Sequence, residues 1–232
     1  MNSPNDYRVT TLGSARTTGS GVSELLATHT VLRNTYILLA ATLLFSAAMA
    51  AVSIVFNIGR LPSLLVLGGS LGLLFWVQAA RNSAWGLLAV FAFTGFMGLM
   101  TGPIVQAYVR FIPNGANVVM MALGGTGAIF VALSAYALIS KRDFSKLGSV
   151  MIIGAVVLMV ASIANIFLHI SGLSLAISAA AMVVFSGLML YDTGRILDGG
   201  ETNYISATVA LYLDIYNVFI SLLNLLGNSN RN

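Results

Sequence analysis

The sequence predicts an all-α membrane protein of seven transmembrane helices, and three observations carry that reading. Hydrophobic residues make up 58% of the 232 residues and charged residues only 8%, against about 25% charged in an ordinary soluble domain. Seven acids and eleven bases are too few to cover the surface of a water-soluble domain of this length. The apolar residues fall into seven runs, each near the roughly 20 residues with which a helix crosses a hydrocarbon core of about 30 Å. These runs lack the alternation of a barrel strand, and lipid tolerates no unpaired backbone, so helices are the form they take.

The elements follow in order. Residues 1–30 are polar and rich in Ser, Thr and Gly, with no apolar core and cleavage site; they read as a mobile tail rather than a signal peptide. The first span covers about 35–57. The second, about 62–79, is short and contains Gly68, Gly69 and Gly72. The third, about 84–108, carries Gly98 and Gly102 as a GxxxG pair, which lets helix backbones approach closely, and Pro103, which is expected to kink it. The fourth, about 116–139, contains the run GGTG. Without a following Lys-Ser/Thr and a preceding strand, that run is packing, not a phosphate loop. Spans at about 147–168, 173–196 and 205–227 complete a transmembrane domain of residues 31–228.

Charge sets the expected orientation. A cytoplasmic N-terminus puts Arg8, Arg16, Arg33, Arg81, Lys141, Arg142, Lys146 and Arg195 inside, and Arg60, Arg110 and Arg231 outside. Eight against three predicts an N-terminus in the cytoplasm and a C-terminus outside. The net charge of +4 is then a topology signal, and no nucleic-acid partner is predicted. The chain has no cysteine, which removes disulfides, thiolate nucleophiles and iron–sulfur ligation.

Ionisable groups inside the bilayer are costly and each needs a reason. Two carboxylates fall within predicted spans, Asp192 in the sixth and Asp214 in the seventh. Their helices are consecutive and antiparallel, and at 1.5 Å per residue their depths differ by only about 6 Å. Two buried carboxylates side by side cannot both ionise cheaply; they share a proton and titrate as a unit. Such a pair is a candidate pH sensor or cation site, and carboxylate oxygen suits transient Ca²⁺, although two side chains fall short of its six to eight ligands. Asp192 has a second possible partner in Arg195, one helical turn away. Asp214 begins a polar stripe of Asn217, Ser221 and Asn224 on one helix face, and Ser162, Asn165 and His169 form another in the fifth span. Interhelical hydrogen bonding is the plain alternative for both stripes. No HExxH and no nucleophile–base pair at matched depth is present, so no enzyme and no resident cofactor is expected.

The stretches LATHTVLRNTYILL, FAFTGFMG, MALGGTGAIF, ANIFL, LAISA and GGETNYISATVALYLDIYNVFISLLNLLG resemble the Bax inhibitor family, most closely its bacterial YccA-like branch. The resemblance runs from about residue 25 to 228. It implies six helices around a central, more polar seventh, and an inner-membrane protein that modulates the membrane-anchored protease FtsH. In members that resemble pH-sensitive Ca²⁺ leak channels, an L-Y-D and a Y-L-D motif supply the gating aspartates, which match Asp192 and Asp214. There an arginine near the end of the second helix locks the pair; this chain has Gln78 at that place, leaving Arg81 and Arg195 as the possible counter-ions. The overall likeness thus points to protease modulation, and the two aspartates to a Ca²⁺ and proton site.

Overall fold

A computed structural model describes residues 6–59, 62–140 and 142–229, with side chains left out for 6–27, Ser63 and Ser171. Residues 1–5 of the polar tail, and Arg60, Lys141 and Arg231 of the charge argument, lie outside the described residues. Seven helices follow one another: α1 Asp6–Val55, α2 Ser63–Ala80, α3 Trp85–Phe111, α4 Gly115–Ile139, α5 Ser145–Leu168, α6 Ser171–Leu197 and α7 Tyr204–Ser229. The backbone from Asp6 is continuous with the first span, whose apolar stretch begins at Thr28.

Six of the seven are long and apolar enough to cross a membrane. The exception is α2, the segment whose sequence is shortest and richest in glycine. Its 18 residues give about 27 Å of helix, slightly less than the hydrocarbon thickness.

Helix ends explain where the chain turns. Asn57, Asn114 and His169 take left-handed backbone angles between neighbouring helices, a conformation that Asn tolerates better than most side chains. Gly199, with φ of 71°, closes α6, and the Gly200 N–H returns to the Arg195 carbonyl at 2.9 Å. Asn203 starts α7 by accepting from the backbone N–H groups of Ile205 and Ser206 at 3.0 and 3.1 Å.

Asp143 does the same work ahead of α5, its carboxylate accepting from the Ser145 N–H at 2.8 Å. The Ser145 hydroxyl and then that N–H hold the Asp143 carboxyl below its usual value of 3.8. A depressed pKa means the contact stabilises the fold fully above pH 3.8 and is lost as pH falls through the folded value. The melting temperature of wild type should therefore exceed that of Asp143→Ala at neutral pH, and the gap should close in acid. A gap unchanged between neutral pH and about pH 3 would refute the contact.

Packing follows small residues. α1 lies against α3, where a Cβ at Gly98 would overlap the Ser46 carbonyl oxygen and one at Gly102 would stand 2.6 Å from the Ser53 Cβ. The GxxxG pair therefore serves a backbone contact, as the sequence suggests. On the other side, Gly148 sits under the Tyr191 ring and Gly187 under Met151, joining α5 to α6. α7 packs against α1, α2, α3, α4 and α6, while α5 packs against α6. The largest fully buried side chains include Tyr212, Phe93, Leu39, Met189 and Leu211, so the core lies where α1, α3, α6 and α7 meet.

Candidate functional site

Asp192 lies five residues before the end of α6 and Asp214 ten residues into α7, about 7 and 15 Å along their helices. The offset is closed in the fold, and the two carboxyls come close enough to act on each other. A hydrogen bond between two carboxyl groups needs a proton on one of them. Asp214 is 4% exposed, and its Oδ2 has no hydrogen-bond partner among the described residues. Such an orphaned acceptor is costly in a protein interior. Among the described residues no group of three or more Asp, Glu, His or Cys side chains converges on one point. The pair fits a shared proton better than a resident Ca²⁺, whose six to eight oxygen ligands would have to come mainly from carbonyls and water.

Neither candidate counter-ion takes its hydrogen bonds from the pair. Arg195 forms an ion pair with Glu201 at 2.8 Å, and its charge reaches Asp192 only through space. The reason is local. α6 ends at Leu197 and the Gly199–Gly200 turn folds Glu201 back beside Arg195, which helical spacing alone does not reveal. Arg81 donates to the Ser206 hydroxyl at 3.5 Å. Gln78 meets the same hydroxyl, accepting from it at 3.5 Å. Ser206 precedes Asp214 by eight residues, about 12 Å along α7. No hydrogen bond from Gln78, Arg81 or Arg195 reaches the carboxyl pair among the described residues, and Arg195 acts on Asp192 through its charge.

A different clasp closes this end of the bundle. The Asn203 side-chain amide donates to the Arg81 carbonyl at 3.1 Å and to the Asn82 Oδ1 at 2.8 Å. Its own N–H is held by Glu201 at 2.9 Å. The connection between α2 and α3 and the connection between α6 and α7 are thereby tied together.

The polar stripe of α7 divides. Asn217 donates to the carbonyl of Leu213 one turn back, at 2.8 Å, and so satisfies itself within its own helix. Ser221 is buried. Asn224 reaches across to α6, donating to Ser174 and Ser178 at 3.1 and 2.8 Å. The stripe of the fifth span is not an interior one. Ser162 and His169 are exposed, and Asn165 accepts from the Ile170 N–H at 3.1 Å to finish α5.

Sequence reasoning missed a hydroxyl face on α1. Thr35, Thr42 and Ser53 are fully buried, and with Ser46 they recur at steps of 7, 4 and 7, one face of a helix. The Thr208 hydroxyl approaches the Thr35 carbonyl at 3.3 Å, and Ser46 and Tyr212 share a hydrogen bond of 2.7 Å. Tyr212 stacks on Tyr216, whose hydroxyl lies 3.4 Å from that of Thr101. The heptad-like spacing was the available signal, but Ser and Thr barely alter the hydropathy of an apolar run.

The family described as inhibitor of apoptosis-promoting Bax1 has a model that matches residues 28–231. The chain is 46% identical over 209 residues to the modulator of FtsH protease YccA of Escherichia coli (strain K12), covering 90% of this chain and 94% of that one. It is 44% identical over 214 residues to an uncharacterized membrane protein of Vibrio cholerae, covering 92% and 96%. With a protein of Neisseria meningitidis serogroup A it shares 36% identity over 217 residues, covering 90% and 95%.

Proposed function

The chain belongs to the Bax inhibitor family, and from that premise we propose that it restrains the membrane protease FtsH from the inner membrane. It is a multi-pass membrane protein, and the reading gives it seven spans around a central α7, with the N-terminus in the cytoplasm and the C-terminus outside. The observation that carries the function is the extent of the likeness to the FtsH modulator, 46% identity over 94% of that protein. The fold supplies a physical means. A protease that extracts membrane proteins must pull helices apart, and α1 is fastened to α3 by backbone-to-backbone contact. A substrate that engages and resists extraction occupies the protease.

The polar N-terminal segment is the handle in this reading. Removing residues 1–27 should sharply lower co-purification with FtsH while the remaining chain stays monodisperse and melts near the wild-type temperature. Undiminished co-purification of the truncated chain would remove the handle from the argument.

A second reading is favoured by one specific observation, the buried Asp214 carboxyl with its orphaned Oδ2 beside Asp192. A buried pair that holds a single proton gives a pH-sensitive gate for a Ca²⁺ leak, with the clasp at Asn203 above it. The two activities are compatible in one bundle, because the first uses the N-terminal segment and the second the α6–α7 interface.

A further inference from the structure

At the opposite end of the bundle from the carboxyl pair lies a cavity of about 960 Å³, at the upper end of the size range of small-molecule sites. It is framed by the end of α1, the first turns of α2, the second half of α3 and the second half of α7. Its lining mixes apolar side chains, Met100, Ile104, Ile220 and Leu223 among them, with polar ones that include Asn57, Gln106, Tyr216 and Arg110. No contact joins α1 to α2 among the described residues. Gly68 and Gly72 on α2 would meet nothing within 4 Å if they carried a Cβ. Both positions are on the exposed face of α2.

Charge decides what the cavity prefers. The sequence has no Asp or Glu between Glu24 and Asp143, and none after Asp214. Every helix segment that frames the cavity lies within those two stretches. Arg110 is exposed and is the one cationic side chain lining the cavity among the described residues, with no acidic side chain on the framing helices to neutralise it. A hydrated Ca²⁺ entering here meets a positive charge and apolar walls. A molecule with a phosphate at one end and hydrocarbon at the other satisfies both surfaces at once, since a guanidinium pairs well with phosphate oxygens.

We infer that this cavity is a binding site for one anionic phospholipid, with its phosphate at Arg110 and an acyl chain along Ile104, Ile220 and Leu223. The occupant is a membrane lipid rather than free phosphate, because the apolar side chains of the lining match an acyl chain and are left uncovered by a small hydrated anion. The site is separate from the carboxyl pair and does not depend on either function proposed above.

The full chain is reconstituted in phosphatidylcholine vesicles containing phosphatidylglycerol with a photoactivatable acyl chain, and crosslinks are mapped by peptide. Labelling is expected on the α3 and α7 segments around Ile104 and Ile220, and Arg110→Gln should reduce it roughly fivefold. Photoactivatable phosphatidylcholine should label these segments no more than the Arg110→Gln background. Excess unlabelled phosphatidylglycerol should compete, and inorganic phosphate should not. Equal labelling by both lipids, or labelling unchanged in Arg110→Gln, overturns the site. Competition by inorganic phosphate overturns the assignment to lipid. Because Arg110 is exposed, the variant should keep the wild-type melting temperature; as a second probe, Ile220→Phe, which narrows the cavity without touching the charge, should also lower labelling.

Discussion

Gly98→Leu is expected to destabilise the bundle by at least about 3 kcal/mol, the upper part of the range for overpacked interiors. A Cβ at Gly98 overlaps the backbone oxygen of Ser46 and stands 2.9 Å from the Ser46 Cα. Those are main-chain atoms of a regular helix and cannot rotate aside, so α1 and α3 must separate. Separation also breaks the Ser46–Tyr212 hydrogen bond and opens Tyr212, one of the most deeply buried side chains. The same substitution at Gly68, where nothing lies within 4 Å, should cost less than about 1 kcal/mol. Thermal unfolding of the two variants in detergent, followed by size-exclusion chromatography, separates the cases. If Gly98→Leu melts with wild type, the close approach of α1 and α3 is wrong.

Asp214→Asn is expected to make Ca²⁺ entry into liposomes independent of pH. Asn keeps the shape of Asp and its amide can donate to Asp192, so the bundle should fold. What disappears is the proton that the two carboxyls share. Wild-type flux should change about tenfold or more between about pH 5 and about pH 8, and the variant less than about twofold. A wild-type pH profile in the variant would exclude the pair as the sensor. Absence of flux in wild type at every pH would leave the pair as a structural contact and place the full weight on the protease.

Much of this architecture was legible because lipid makes hydropathy a strong signal. The helix positions, the close approach at Gly98 and Gly102, and the meeting of Asp192 with Asp214 all follow from span length, small-residue spacing and matched depth. α2 was the one segment at the limit of the length criterion, and it remains so in the fold. Arg195 lies one turn from Asp192 and acts on it through space, as the spacing indicates, but its ion pair is with Glu201, which the turn beyond Leu197 brings to the guanidinium. Arg81, the base nearest Gln78, meets Ser206 on α7; neither contact follows from helical spacing, because both depend on the path of a turn. Hydroxyls on α1 escaped notice because Thr35 and Thr42 return their protons to their own helix carbonyls and so look neutral to any scale of transfer free energy.

The contact between α1 and α3 has a mechanical side. A motor that hauls on the N-terminus loads α1 first, and the apolar stretch of α1 is held by α3 and at its hydroxyl face by α7. The pull runs nearly parallel to that interface, so its contacts share the load and must give way together instead of peeling one by one. α5 packs only against α6 among the described residues, and a force applied at the N-terminus arrives there only after four other helices have been drawn out. The order of the chain thus puts the firmest joint nearest the grip, which makes stalling the expected fate of a pull from that end.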